Sequence, residues 1–408
     1  MSYGINDITD KIMQIAEPNN FRRRMDMKAN RERVFGLAAL AAIIFFVLGM
    51  AGNALAAERH YWIKAEEVQW DFMPSWPLNL MDGSDMTGDI FTDPNAFSGA
   101  KGRIYTKAAY RQYTEGFEQL IDGAFAPSRE PGAPNEHMGI TGPAIRAVVG
   151  DTIVVHFKNE TSIDTSVHPH GVLYDKTGEG APYIDNCNPG DPGCDPAGPG
   201  DVVPPGGEHI YVWGVPDRAG PGPNDASSIV WPYHAHTPET ASTNAGLIGP
   251  IVIYRPNAVG FDASGAIVTR FREFFTLFTI FNENASALFD ANFPNGVPKR
   301  VDPDEFEESN LMHGMNGLLW GNNTGYNMQA GEKVRWYIMA MGTEVDMHTA
   351  HWHGVTLLRN GHREDVTGIF PATTATLEML TDNPGKWMFH CHVNDHLDAG
   401  MMTTFTIR

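Results

Sequence analysis

The chain has 408 residues, with 29 Lys+Arg against 49 Asp+Glu, a formal net charge of −20, and 42% hydrophobic and 19% charged residues. These proportions exclude a disordered chain. The acidic balance excludes nucleic acid as a partner, because neutralising phosphates needs a basic face, and it suits a protein that draws in cations.

The first element is a run from Val34 to Gly52 without a charged residue, about the ~20 residues needed to cross a bilayer. Arg22, Arg23, Arg24, Lys28, Arg31 and Arg33 precede it, so the positive-inside rule leaves everything after residue 57 outside the cytoplasm. Ala54-Leu55-Ala56 reads as a small-x-small cleavage site. A cleaved signal and a retained membrane anchor both fit residues 1–57. Either way the protein is expected to be exported, to a periplasm or the extracellular space. Cys187 and Cys194, in a loop crowded with Gly, Pro and Asp over 175–208, are expected to pair in that oxidising compartment. Three Cys are too few for a disulfide scaffold.

Forty-two Gly and 28 Pro spread along the chain favour a turn-rich, all-β build. Runs rich in Val, Ile, Phe and Thr predict strands at 144–157, 209–215, 247–254, 274–281, 333–339, 375–380 and 403–408. An internal repeat organises them. Gly150-Asp-Thr-Ile-Val-Val precedes His168-Pro-His170-Gly171, with His234-Ala-His236 later. Gly331-Glu-Lys-Val-Arg-Trp precedes His351-Trp-His353-Gly354, with His390-Cys-His392 later. The chain therefore reads as one β domain duplicated, spanning 58–260 and 261–408.

Of 16 His, eight fall in these four His-x-His pairs. In an extended strand residues i and i+2 share a face, so each pair can present two imidazoles to one metal cluster. Imidazole suits copper, zinc, iron and nickel alike. The last segment is more specific. Cys391 is followed by His396 and Met401, and His348 upstream would complete two His, one Cys and a long axial Met, the blue-copper set. By alternation Cys391 faces one metal while His390 and His392 face the other way, towards the cluster. His60, His137, His156, His209 and His362 lack partners by spacing and read as structural or surface. Asp175 and Asp346 lie near ligand segments and could orient a ligand His or relay protons.

With Ser-Val-His-Pro-His-Gly-Val-Leu-Tyr-Asp-Lys, Glu-Val-Asp-Met-His-Thr-Ala-His-Trp-His-Gly and His-Cys-His-Val-Asn-Asp-His, residues 58–408 resemble the multicopper oxidases, most closely in their ceruloplasmin-like branch. The resemblance implies two cupredoxin-like Greek-key β-barrels and four coppers per subunit. His348, Cys391, His396 and Met401 would hold type 1 copper, and His168 and His351 type 2. His170, His234, His236, His353, His390 and His392 would hold the type 3 pair. The first half has Thr165, Ala235, Thr240 or Ser242, and Leu247 where type 1 ligands would stand, so only the second half would carry that site. This implies a homotrimer with copper clusters between subunits, closed head to tail.

The reaction implied is four one-electron oxidations at type 1 copper coupled to reduction of O2 to water, with Cys391, His390 and His392 linking the centres. Glu308, His313 and Asp395, with Glu344 from a neighbouring subunit, would match the family's ferrous-iron site. Rivals are a laccase-like oxidase of phenols or aromatic amines and a cuprous oxidase using Met312, Met315, Met328, Met339, Met341 and Met347. A copper nitrite reductase fits less well, since that family has its type 1 Cys in the first domain, and a copper store would not need Cys391 bracketed by histidines.

Overall fold

Alternating apolar and polar side chains build four large sheets and one two-stranded ribbon, Val259–Phe261 with Ile267–Thr269, in the computed structural model, which describes residues 56–121, 135–185, 187–195 and 197–408. The run from Val34 to Gly52 and its basic flank lie outside the described residues. No helix among the described residues is long and apolar enough to cross a membrane.

In the first half, Ile104–Tyr113, Glu58–Asp71, Thr152–Glu160 and Glu208–Gly214 form one sheet in that order. Ile145–Val148, Ile248–Tyr254, Ser228–His234 and His168–Pro169 form the second. Ile63, Val155, Tyr211, Tyr233 and Ile251 interdigitate between them in one buried core. The second half repeats the plan. Leu311–Met315, Arg272–Asn282, Lys333–Ala340, Thr374–Leu380, Leu357–Arg359 and His362–Glu364 form one sheet. Asn327–Met328, Met402–Ile407, Gly385–Cys391, His348–Trp352 and Val366–Ile369 form the other. Phe278, Trp336, Leu377, Phe389 and Phe405 fill the space between. Both halves share a signature in their first sheet, which is antiparallel but for one pair. The opening strand runs parallel to its neighbour, Glu58–Asp71 with Thr152–Glu160 and Arg272–Asn282 with Lys333–Ala340. The fold is all-β and cupredoxin-like, twice.

A third core joins the halves, with Val68, Trp70, Tyr105 and Tyr254 packed against Phe275, Leu277, Tyr337 and Met339. Polar groups seal it: Glu273 accepts from Tyr337 Oη at 2.9 Å and pairs with Arg146 at 3.2 Å. Lys107 and Glu283, both fully buried, form an ion pair across the same seam.

One expectation needs correction. The run at 144–157 is two strands, broken where Gly150 takes φ +101°; the pieces join opposite sheets of the first sandwich. Among the strands beyond those predicted are Glu58–Asp71 and Ile104–Tyr113. Cys187 and Cys194 are disulfide-bonded, with Cα atoms 5.6 Å apart.

Candidate metal centres

Among the described residues, three groups of His, Cys or carboxylate side chains bring their ligand atoms within 4.8 Å of one another. They are His348/Cys391/His396, His351/His353/His390 and His168/His170/His234.

The first group is fully buried. His348 opens the strand His348–Trp352, Cys391 closes the strand Gly385–Cys391, and Ala350 pairs with Cys391 between them. The short helix Asn394–Asp398 then carries His396 back over the thiol. Asp346 accepts from His348 Nε2–H at 3.3 Å while taking the Ile280 N–H at 2.7 Å. His348 is thereby fixed with its Nδ1 lone pair facing inward. That atom lies 3.1 Å from His396 Nδ1, and Cys391 Sγ lies 3.8 Å from His348 Nδ1 and 3.6 Å from His396 Nδ1. Ligands about 2.0–2.3 Å from one ion and splayed by about 100–120° would stand roughly 3.1–3.8 Å apart, so this donor set fits a three-coordinate metal. Burial pushes the Cys391 thiol up from its ordinary value, while the N–H groups of Thr349 and Val393 favour thiolate. A cation is what would complete that balance. Met401 is fully buried, and its C=O accepts from Cys391 N–H at 3.0 Å.

The second group lies on the opposite side of the same strands. His351 and His390 are cross-strand partners. His390 Nδ1–H donates to the Cys391 carbonyl at 2.7 Å, leaving Nε2 as a lone pair 3.1 Å from both His351 Nδ1 and His353 Nε2. The His392 ring stands 5.2 Å from that of His351.

The third group repeats this in the first half. His168 Nδ1–H donates to Glu179 O at 2.6 Å and His234 Nδ1–H to Ala235 O at 3.1 Å, so both keep Nε2 free. His170 and His234 Nε2 atoms approach to 3.0 Å. Burial pulls His170 down to about 4 and His234 to about 3, keeping both neutral and able to ligate. The His236 ring is 5.2 Å from His168, and its Nε2 meets Glu239 at 3.1 Å. The His236 hydrogen bond holds Glu239 down at about 2. No group mixes histidines from the two halves.

The glycine after each His-x-His has a physical reason. Gly171 and Gly354 take φ +75° and +73°. Trp231 and Trp387 press on them where a Cβ would stand, at 2.3 and 2.7 Å. Each Trp lies three residues before the next His-x-His, so Trp-x-x-His-x-His was a further repeat readable in the sequence. Asp175 caps the turn that presents Glu179 O, accepting from Thr177 and Gly178 N–H.

The expected iron ligands are less gathered. His313 is buried, its ring 5.5 Å from His396, and burial pulls it down to about 4. Glu308, Glu344 and Asp395 are exposed, and no three of these four residues form one of the 4.8 Å groups. Of the six methionines, five are core side chains and only Met347 is exposed. His137 is buried and accepts the Phe275 N–H at 3.1 Å. His209 lies against Thr177 O, and His362 is exposed. His60 and His156 lie together at the surface, their ring nitrogens 3.1 Å apart.

Family models described as multicopper oxidase match residues 135–193 and 292–408, which hold both second-half groups and the His168/His170 pair of the first-half group. Each half of the chain thus carries a segment that matches the multicopper oxidases. Among curated relatives, hephaestin of Mus musculus is 39% identical over 363 residues, 86% of this chain and 29% of that protein. Ferroxidase HEPHL1 of Homo sapiens is 37% identical over 382 residues, covering 90% and 31%. Ceruloplasmin of Homo sapiens is 37% identical over 361 residues, covering 86% and 31%. The chain spans under a third of the length of these relatives. A solved multicopper oxidase structure shares the fold with TM-score 0.50 at 17% identity, covering 86% of this chain and 89% of that one.

Proposed function

We propose that this chain is an exported copper oxidase that takes single electrons from ferrous iron and delivers them to dioxygen. The observation that carries the reading is the buried His348/Cys391/His396 set placed back to back with the His351/His353/His390 cluster through one strand. His348, Cys391, His396 and Met401 would hold type 1 copper. The eight histidines of the four pairs, with His168 and His351 on type 2 and the other six on type 3, would hold the cluster. Copper at these positions supplies the one-electron redox chemistry that couples substrate oxidation to reduction of O2 to water.

The chain's own contribution is placement and exclusion. Burial of Cys391 and His396 keeps water from the thiolate. The peptide between His390 and Cys391, and the 2.7 Å hydrogen bond from His390 Nδ1–H to the Cys391 carbonyl, give short covalent and hydrogen-bonded connections between the two sites. Each half carries a three-histidine half-site, so the cluster is completed by a neighbouring subunit. A head-to-tail ring of three two-domain chains closes that arrangement.

Iron as substrate is supported by the ferroxidase among the relatives and by His313 against His396. Exposed Asp395 beside His396 is free to bind a hard cation from solvent. Export is supported by the Cys187–Cys194 bridge and the basic-flanked hydrophobic leader. Oxygen uptake by copper-loaded protein with Fe2+, Cu+ and a bulky phenol tests the substrate. The double variant Glu308→Ala/Asp395→Ala should lose Fe2+ turnover and keep phenol turnover. Preference for phenol or Cu+, with the variant unaffected, would replace iron with those donors.

A further inference from the structure

Outside the three groups above, the outer face of the first sheet carries a second kind of histidine pair. The strands Glu58–Asp71 and Thr152–Glu160 run parallel, with Trp62 opposite His156 and His60 opposite Val154. Ile63, Ala65, Ile153, Val155 and Phe157 point to the core, so alternation turns His60, Trp62 and His156 outward on one face. There His60 Nδ1 and His156 Nε2 meet at 3.1 Å. The Trp62 indole lies flat on the His156 ring, 4.6 Å away at 3°, and fixes its plane. Glu58 Oε2 sits 3.4 Å from His60 Nε2, on the far side of the ring.

We propose that His60 and His156 form a surface binding site for a divalent late transition-metal ion, copper(II) or zinc(II). Glu58 favours the tautomer with the proton on His60 Nε2, which leaves Nδ1 as a lone pair directed at the partner imidazole. A carboxylate behind a metal-binding histidine plays this part in metal sites generally. Two nitrogens 3.1 Å apart subtend about 98° at an ion about 2.05 Å from each. That angle lies between the square-planar and tetrahedral values, which suits copper(II) or zinc(II) and the imidazole donor type. The remaining coordination positions open to solvent, so water completes the shell. A net charge of −20 raises the local cation concentration around such a site.

The test uses the copper-loaded full chain, freed of loosely held metal by a weak chelator and titrated calorimetrically with Zn2+. Wild type should take up one further ion per chain. His60→Gln and His156→Gln should each weaken that uptake by about tenfold or more, and the double variant should abolish it. Glu58→Gln should weaken it by about tenfold. Resident copper and circular dichroism should be unchanged, which separates loss of the site from misfolding. Cu2+ gives a second readout, because an ion on His156 would quench the stacked Trp62; that quenching should vanish in Trp62→Phe and in the double histidine variant. Equal uptake by wild type and double variant would overturn the proposal. So would wild type that binds no further ion, since the pair would then merely share a proton.

Discussion

Asp346 shows how one carboxylate sets the chemistry of its neighbour. It takes the N–H groups of Ile280 and Thr343 at 2.7 and 2.8 Å and turns the His348 Nδ1 lone pair towards Cys391. Asp346→Asn keeps the size but replaces one acceptor oxygen with a donor, so we expect metal at the Cys391 site to bind about 10–100-fold more weakly. Loss of the thiolate-to-copper absorption during competition with a chelator would measure this; an unchanged affinity would show that Asp346 does not orient His348. At this scale the sequence was most legible where chemistry demands rare residues in close order, as in His390-Cys391-His392. It was least legible where two strands far apart in the chain bring single residues together. His60 and His156 are 96 positions apart, and no spacing rule links them.

The strand Glu58–Asp71 shows why an element can be hard to read. Its residues Ile63 and Ala65 enter the core of the first sandwich, whereas Val68 and Trp70 enter the core between the halves. The apolar alternation therefore changes parity midway, and charged Lys64, Glu66 and Glu67 obscure it further. The partner strand behaves alike, sending Ala108 and Tyr110 one way and Tyr105 and Ala109 the other. Between them Lys107 is fully buried, donating to Asn244 O and Glu283. Removing one partner leaves a buried charge, so Lys107→Met should cost about 3–5 kcal/mol in denaturant unfolding; an apolar replacement of both, Lys107→Met/Glu283→Leu, should recover most of that. Burial raises Glu283 to about 7 from an ordinary 4.5, against the opposing pull of Lys107. The folded state thus keeps a proton that the unfolded state releases. The contribution is present below pH 4.5 and is lost as pH rises through about 7. Glu283→Gln should flatten the fall in stability across that interval, seen as a smaller drop in unfolding midpoint between the two pH values.

At the scale of the whole molecule, the duplicated plan was legible because both copies keep the same His-x-His-Gly punctuation, with glycine forced by positive φ and a tryptophan against it. The seam between the copies was not, since its residues look like ordinary core. The two histidine half-sites remain separate groups within one chain. The copper-loaded protein should therefore sediment as a trimer. Substituting a half-site on either domain, His170→Ala or His353→Ala, should deplete cluster copper while leaving the Cys391 absorption. A fully coppered, active monomer would contradict the shared cluster.

In the proposed reaction electrons enter through Cys391 and leave to dioxygen through the histidines beside it. Oxygen uptake driven by Fe2+ in wild type and Cys391→Ser, with copper content determined on both, tests it most directly. Wild type should consume one O2 for every four Fe2+ without accumulating peroxide. Cys391→Ser should keep its cluster copper but lose the turnover. Undiminished oxygen uptake by Cys391→Ser would contradict entry of electrons through Cys391.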